Sequence, residues 1–141
     1  MRTTSVPDLA GQLRLTIVRT ARRLRQEAGA DLSPSLTAAL STVERHGPLT
    51  PSEVALREGI QRPTVTRVLA RLEAQGLIER MIDPRDKRSS LVTATKDGRE
   101  LLAELRTRKT AFLASRIERL EPGERATLER AADILERMLA E

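Results

Sequence analysis

Two helix-start signals that follow one another closely constrain the fold more than any other feature of the sequence. In "TPSEVALREGI", Thr50 can accept a hydrogen bond from the backbone of Glu53, and the Glu53 side chain can return one to Thr50. Pro51 suits the first helical position, and Gly59 ends the short helix. Within three residues "RPTVTRVLARLEAQG" begins a second helix, so only a brief turn separates the two.

The second of these helices has one apolar face. Its apolar side chains recur at i, i+3, i+4 and i+7, which is the spacing of a helix packed on a core. They are Val65, Val68, Leu69 and Leu72. Arg62 precedes a proline, which disfavours helical dihedrals, so Arg62 is the predicted N-cap, with Gln61 as the alternative. Gly76 stops the helix.

Helices are also predicted on the N-terminal side. Leu9, Leu13 and Ile17 stand at near-helical spacing with arginines between them, which predicts an amphipathic helix that ends near Gly29. A further helix is predicted over residues 33–47, with a serine as N-cap, a proline at the first position and a glycine past its end.

A hairpin and two more helices are predicted after Gly76. The segments 77–82 and 90–95 are short and rich in β-branched or long apolar residues, and the charged loop between them makes a hairpin the expected connection. Thr95 can cap a long helix over residues 96–120, and a last helix is predicted over 125–141. The predicted fold is therefore mainly α with a small β-hairpin (α+β).

The composition excludes several kinds of site. The chain has no cysteine, one histidine and one aromatic residue, Phe112. Disulfides, thiolate metal sites and thiol nucleophiles are excluded, and aromatic platforms for RNA or single-stranded DNA are not expected. The sequence contains no Gly-rich phosphate loop, and its carboxylates are placed only as charges on helix surfaces. Nothing therefore indicates an enzyme, and no catalytic residue, metal or cofactor is predicted. Without an apolar leader or a membrane-length run, the expected location is cytoplasmic.

The positive charge is confined to two stretches of the chain. The net charge is +5. Residues 1–30 carry six arginines against two acids, and residues 62–88 carry seven Lys or Arg against four acids, whereas residues 96–141 are balanced at ten against ten. Such segregation is expected when one surface faces a polyanion.

The order of short helix, turn, second helix and basic hairpin is that of a winged helix-turn-helix. The major groove of double-stranded DNA, ~12 Å wide, admits one α-helix, and the narrower minor groove admits an extended cationic loop. The predicted recognition-helix contacts are Arg62, Pro63, Thr64, Thr66, Arg67 and Arg71, and the predicted wing contacts are Arg85, Asp86, Lys87 and Arg88. Our hypothesis for the wing is that Asp86, together with Asp83, orients Arg85 or Arg88 by ion pairs within the loop.

The sequence between about residues 49 and 102 resembles the MarR family of bacterial transcription regulators. The family has a helix ending in "LExxGLI", a wing of the form D-x-R-D-x-R and a Thr-x-x-Gly opening of the next helix. The matching residues here are Leu72, Glu73, Gly76, Leu77, Ile78, Asp83, Arg85, Asp86, Arg88, Thr95 and Gly98. One departure is Ala94, where the family usually has leucine before the threonine.

The resemblance implies a homodimer with interlocked end helices, a pseudo-palindromic operator and, commonly, repression released by a small organic ligand. The implied division is a dimerisation region at 1–32 and 97–141 around a DNA-binding lobe at 33–96. Apolar stripes on the end helices support the dimer, because lone helices of this kind are unstable in water. The candidate interface or core residues are Leu13, Ile17, Leu105, Phe112, Ile117, Leu128, Leu135 and Leu139.

Two alternatives remain open at the level of the sequence. A nonspecific architectural DNA-binding protein, or a protein adaptor, could use the same fold, although base-reading groups such as Thr64, Thr66 and Arg67 would then be unnecessary. The N-terminal arginines could pair with acids across a dimer, solubilise a helix or contact DNA directly. These arginines are Arg14, Arg19, Arg22, Arg23 and Arg25.

Overall fold

The computed structural model describes residues 3–29 and 32–141, and within them the chain forms six helices and one two-stranded sheet. Residues 1, 2, 30 and 31, which belong to the predicted N-terminal part of the dimerisation region, lie outside the described residues. The elements in chain order are α1 (Val6–Ala28), α2 (Pro34–His46), α3 (Pro51–Glu58), α4 (Arg62–Ala74), β1 (Ile78–Asp83), β2 (Asp86–Ala94), α5 (Lys96–Ile117) and α6 (Pro122–Leu139). The prediction of a mainly α fold with a small hairpin is confirmed.

Three predicted helix caps are formed by side-chain oxygens. Ser33 accepts a hydrogen bond from the Leu36 backbone at 3.3 Å, and Thr95 accepts one from Gly98 at 3.1 Å. Thr50 accepts from the Glu53 backbone at 3.2 Å, which is the first half of the predicted capping box. The described hydrogen bonds do not include the second half, and the Glu53 carboxylate lies 4.0 Å from the Arg85 guanidinium instead.

The starts of two helices differ from the first expectation. Of the two predicted N-cap residues of α4, the alternative Gln61 is the N-cap, and Arg62 is the first helical residue. The last helix begins at Pro122, earlier than predicted, because Glu121 and Glu124 form a capping box. The Glu121 backbone donates to the Glu124 carboxylate at 3.1 Å.

The hairpin is antiparallel and is tied to the helical part of the lobe. Ile78 pairs with Ala94, and the register shifts at a bulge between Ile82 and Asp83. Leu49, just before α3, exchanges backbone hydrogen bonds with Val92 at 3.1 and 2.8 Å. The wing is therefore anchored beside the start of α3.

The core lies in the lobe formed by α2, α3, α4, the hairpin and the first turns of α5. The predicted stripe of α4, Val65 to Leu72, is buried in it, as predicted. Leu40 of α2 and Leu102 of α5 are buried in the same cluster. In contrast, α1 buries only Ala28, and α6 buries no residue. The apolar faces of the end helices are thus left largely uncovered within one chain.

Candidate nucleic-acid interface

The turn between α3 and α4 presents the polar face of α4. Gly59 adopts a left-handed conformation with φ +64°, which is strained for other residues, and so reverses the chain between the helices. With its apolar stripe buried, α4 exposes Pro63, Thr66, Arg67 and Arg71. Thr64 is half-buried on the same side. These short hydroxyls and guanidinium groups are the kinds of side chain that bind base edges and phosphates.

Arg62 is held against α3. Its Nη1 donates a hydrogen bond to the Ser52 hydroxyl at 2.5 Å, and its backbone carbonyl accepts one from the Thr66 hydroxyl at 3.0 Å. The Thr66 hydroxyl proton is therefore used within the helix, but its oxygen can still accept. Arg62 therefore links α4 to α3. The sequence pattern did not predict this hydrogen bond to Ser52.

A cavity of about 510 Å³ separates the start of α2 from the polar face of α4. Thr64, Arg67 and Arg71 line one side of it, and Ser33 and Ser35 line the other. The sequence pattern predicts Ser33 only as the N-cap of α2. Placing these serines beside α4 requires the tertiary packing of α2 on α4, which no local pattern shows.

Each aspartate of the wing binds the arginine two residues after it. Asp83 Oδ1 accepts from the Arg85 backbone at 2.9 Å and from Arg85 Nε at 3.5 Å. Asp86 Oδ1 accepts from the Arg88 backbone at 3.0 Å and from Arg88 Nε at 3.4 Å. In each pair the arginine side chain is the more exposed partner: Arg85 is 76% exposed against 5% for Asp83, and Arg88 is 93% exposed against 49% for Asp86. Each pair therefore fixes the base of an arginine side chain whose tip extends into solvent.

The cations on this surface differ in how far their charge is compensated. Arg80 is neutralised by Glu73 of α4 at 2.5 Å. In the described parts of the chain, no carboxylate lies within 4 Å of Arg67, Arg71 or Lys87. These three groups are exposed and carry uncompensated positive charge, as a surface that binds phosphates requires.

The residues predicted for an interface or core fall into three groups. Leu105 is buried where α5 meets α1. Leu13, Phe112, Ile117 and Leu135 are half-buried. Ile17 and Leu128 are each 48% exposed and Leu139 is 83% exposed. Other large apolar side chains of the end helices that the prediction left out are also exposed: Val6, Leu15, Val18, Ile134 and Met138.

No group of three or more His, Asp or Glu side chains is arranged to hold a metal ion in residues 3–29 and 32–141. None of the helices in those ranges is long and apolar enough to cross a membrane.

Comparisons with known proteins agree with this geometry. A family model described as MarR family matches residues 32–90. The HTH-type transcriptional regulator MT0903.1 of Mycobacterium tuberculosis is 36% identical over 128 residues, which cover 90% of each chain. A crystal structure of a putative transcriptional regulator from Pseudomonas aeruginosa is 34% identical, with a TM-score of 0.87 over 98% of both chains. A mutant of S. aureus MepR, solved bound to an oligodeoxyribonucleotide, is 21% identical and has the same fold, with a TM-score of 0.70 over 94% of this chain and 96% of that one.

Proposed function

Because the chain belongs to the MarR family of transcriptional regulators, we propose that it acts as a homodimer that represses transcription from a pseudo-palindromic operator in double-stranded DNA. The observation that carries this proposal is the polar face of α4 beside a basic wing. Arg67 and Arg71 are exposed, have no carboxylate within 4 Å among the described residues, and lie on the same side of α4 as the Thr64 and Thr66 hydroxyls. MarR-family regulators are generally not enzymes, so binding rather than turnover is the expected activity.

In this proposal α4 lies in the major groove. Arg67 and Arg71 contact guanine edges or flanking phosphates, and Thr64 and Thr66 contact base edges beside them. Pro63 allows the first turn of α4 to approach the groove closely, and Arg62, tied to Ser52, fixes the angle between α3 and α4. The hydroxyls of Ser33 and Ser35, across the cavity from Arg67 and Arg71, would donate hydrogen bonds to phosphate oxygens of the adjacent DNA strand.

The wing enters the neighbouring minor groove. Arg85, Lys87 and Arg88 supply positive charge there, and a narrow minor groove has an enhanced negative potential that attracts such side chains. Asp83 and Asp86 restrict the arginines before DNA arrives, so that less side-chain entropy is lost on binding. Arg85 also faces Glu53 at 4.0 Å, which joins the wing to α3.

The exposed faces of the end helices support the homodimer. A helix as polar and as exposed as α6 gains little stability without a packed partner. Leu128, Leu139 and Met138 of α6, and Ile17 of α1, are exposed within one chain. In a two-fold symmetric dimer both protomers contribute the same surface to the contact. Such a contact would cover the exposed apolar side chains of α1 and α6 in both chains.

A cavity between the end helices and the lobe supports release by a small organic ligand. It has a volume of about 540 Å³ and lies between α1, α2 and α5. Leu24, Leu32 and Leu105 give it an apolar lining, and Arg25 and Lys109 stand at its edge. A bound organic molecule there would contact both the dimerisation helices and the lobe, and so could change the spacing of the two lobes.

Selection of binding sites from random duplex DNA tests the proposed function. We expect the purified protein to enrich an inverted repeat with half-site centres separated by ~10 base pairs, since two symmetric lobes contact successive major grooves. If no sequence is enriched, the specific-regulator function is wrong, and a nonspecific architectural or adaptor role takes its place.

A further inference from the structure

A groove between α1 and α5 concentrates positive charge that the chain does not neutralise. This arginine groove has a volume of about 550 Å³ and is lined by Arg19, Arg22, Arg23 and Arg116 around Phe112. Arg23 and Arg116 lie over the Phe112 ring, at 5.4 and 5.0 Å from its centroid. Since the ring attracts guanidinium groups, the only aromatic residue of the chain holds two arginines at one place.

Most of this charge lacks an acidic partner in the protomer. Arg23 pairs with Glu27 one turn later at 2.8 Å. Within residues 3–29 and 32–141, no carboxylate lies within 4 Å of Arg19, Arg22 or Arg116. Three like charges around one groove repel each other, so a counter-charge from outside the protomer would be stabilising.

The helix α6 carries a matching set of unpaired acids. Glu129, Asp133 and Glu136 follow one another at i, i+4 and i+7, so they form one row along the helix. All three are exposed, and in the described residues no cation lies within 4 Å of them. This acidic row flanks the apolar stripe that contains Leu128 and Leu135.

The arginine groove also adjoins an exposed apolar surface. Thr16 and Thr20 line the groove, and Ile17, between them on α1, is 48% exposed. A helix that covered Ile17 with an apolar stripe would therefore bring a row of side chains on its flank close to the arginines. Of the described helices, α6 is the one that buries no residue in its own chain.

We propose that the arginine groove of each protomer receives the acidic row of α6 from a second copy of the chain, so that charge pairing sets the register of the dimer. The pairing rests on the proposed homodimer and gives it specificity. Two-fold symmetry repeats the contact, with each protomer supplying one groove and one row. Complementary charge at such a contact fixes register and excludes partners that lack it.

A charge exchange tests the pairing. The groove-reversed variant carries Arg19→Glu, Arg22→Glu and Arg116→Glu, and the row-reversed variant carries Glu129→Arg, Asp133→Arg and Glu136→Arg. We expect each alone to raise the dissociation constant of the homodimer about tenfold or more, measured by sedimentation velocity, because like charges meet twice. An equimolar mixture should form a heterodimer close to wild-type affinity, since both of its contacts pair opposite charges.

Two further variants keep this result interpretable. A chain with all six reversals should form a homodimer again, which excludes misfolding as the cause of the single defects. A control with Arg45→Glu, Arg57→Glu and Lys87→Glu changes the charge as much as groove reversal, but these exposed residues lie on the lobe rather than on α1, α5 or α6, and it should dimerise like the wild type.

Four outcomes would overturn the proposal. A groove-reversed variant that dimerises like the wild type would exclude the pairing while leaving the homodimer intact. Reversed variants that dissociate but are not rescued in the mixture would mean that other groups face the arginines. If citrate or pyrophosphate raises the melting temperature of the wild type but not of a fully dimeric groove-reversed variant, the groove binds a small polyanion instead. A wild-type chain that stays monomeric would overturn both this pairing and the proposed homodimer.

Discussion

Asp86 holds Arg88 at two points, because its Oδ1 accepts hydrogen bonds from the Arg88 backbone at 3.0 Å and from Nε at 3.4 Å. The carboxylate uses the nitrogen nearest the side chain's stem, which leaves the two terminal nitrogens of the guanidinium for another acceptor. The same geometry joins Asp83 to Arg85. These contacts are the ones required by the hypothesis that the wing aspartates orient the arginines.

Replacing Asp86 with alanine should weaken DNA binding even though it makes the protein more positive. Arg88 would then lose more side-chain freedom on binding, a cost of ~0.5–1.5 kcal/mol, or roughly twofold to twelvefold in affinity. Fluorescence anisotropy with the selected operator measures the change. Glu79→Ala makes the same change in charge on an exposed strand position and should bind at least as tightly as the wild type. Tighter binding by the Asp86 variant would exclude the orienting role.

Arg67 on α4 should contribute to the sequence specificity of DNA binding, whereas Lys87 at the wing tip should contribute only to affinity. Arg67→Ala should cost ~1–3 kcal/mol on the selected operator and relax the preference at one base position, because the guanidinium reads a base edge. Lys87→Ala should weaken selected and scrambled DNA alike and lower the salt slope by about one, because an ammonium at the wing tip binds phosphate. Binding titrations on both sequences separate the two effects. Equal losses for the Arg67 variant on both DNAs would reduce Arg67 to a phosphate contact.

Gly98 has no room for a side chain at the start of α5. A Cβ there would lie 2.2 Å from the Leu77 carbonyl oxygen and 3.3 Å from Leu40. Gly98→Ala should therefore force α5 away from the lobe and lower the free energy of unfolding by ~1–3 kcal/mol. Urea denaturation measures the loss. Gly123→Ala in α6, where a Cβ meets nothing within 4 Å, should be neutral or stabilising, and a Gly98 variant as stable as that control would contradict the packing described.

Thr95 ties the end of the α4 segment to α5. Its hydroxyl accepts from the Gly98 backbone at 3.1 Å and donates to the Gly76 carbonyl at 2.6 Å. Thr95→Ala should cost ~1–2 kcal/mol of stability, the range for the loss of an N-cap, whereas Thr95→Ser keeps both hydrogen bonds and should cost much less. Thermal unfolding of the two variants makes the comparison. Equal losses would mean that the Thr95 methyl group, rather than its hydroxyl, stabilises this junction.

Local signals allowed much of the fold to be predicted, because they act over only a few residues. Ser33, Thr50 and Thr95 cap helices as predicted, since a cap needs only its own side chain and the next turn. The prediction failed at Glu121, because a glutamate at the N-cap is a weaker signal than serine or threonine and its partner Glu124 completes the box. At α4 the alternative N-cap, Gln61, is the one formed, because the first backbone N–H groups of a helix have no partner within it and Pro63 at the second position costs no hydrogen bond.

The contacts between distant segments could not be predicted from the sequence. Ser35 lies across a cavity from Arg71 because α2 packs on α4, and Arg23 meets Phe112 because α1 packs on α5. Periodicity shows which face of each helix is apolar but not which two helices meet or in what register. The partners of polar side chains on those helices follow only from the packed structure.

The central claim is that the α4 surface and wing bind one operator specifically, and affinity across a salt series tests it most directly. We would measure the dissociation constant for the selected operator and for a scrambled duplex between about 50 and 300 mM salt, a range over which phosphate contacts weaken markedly. The account predicts that both affinities fall with salt and that the operator is bound ~10³-fold or more tightly throughout. Equal affinities with the same salt slope would contradict it, and would leave only nonspecific binding to the DNA backbone.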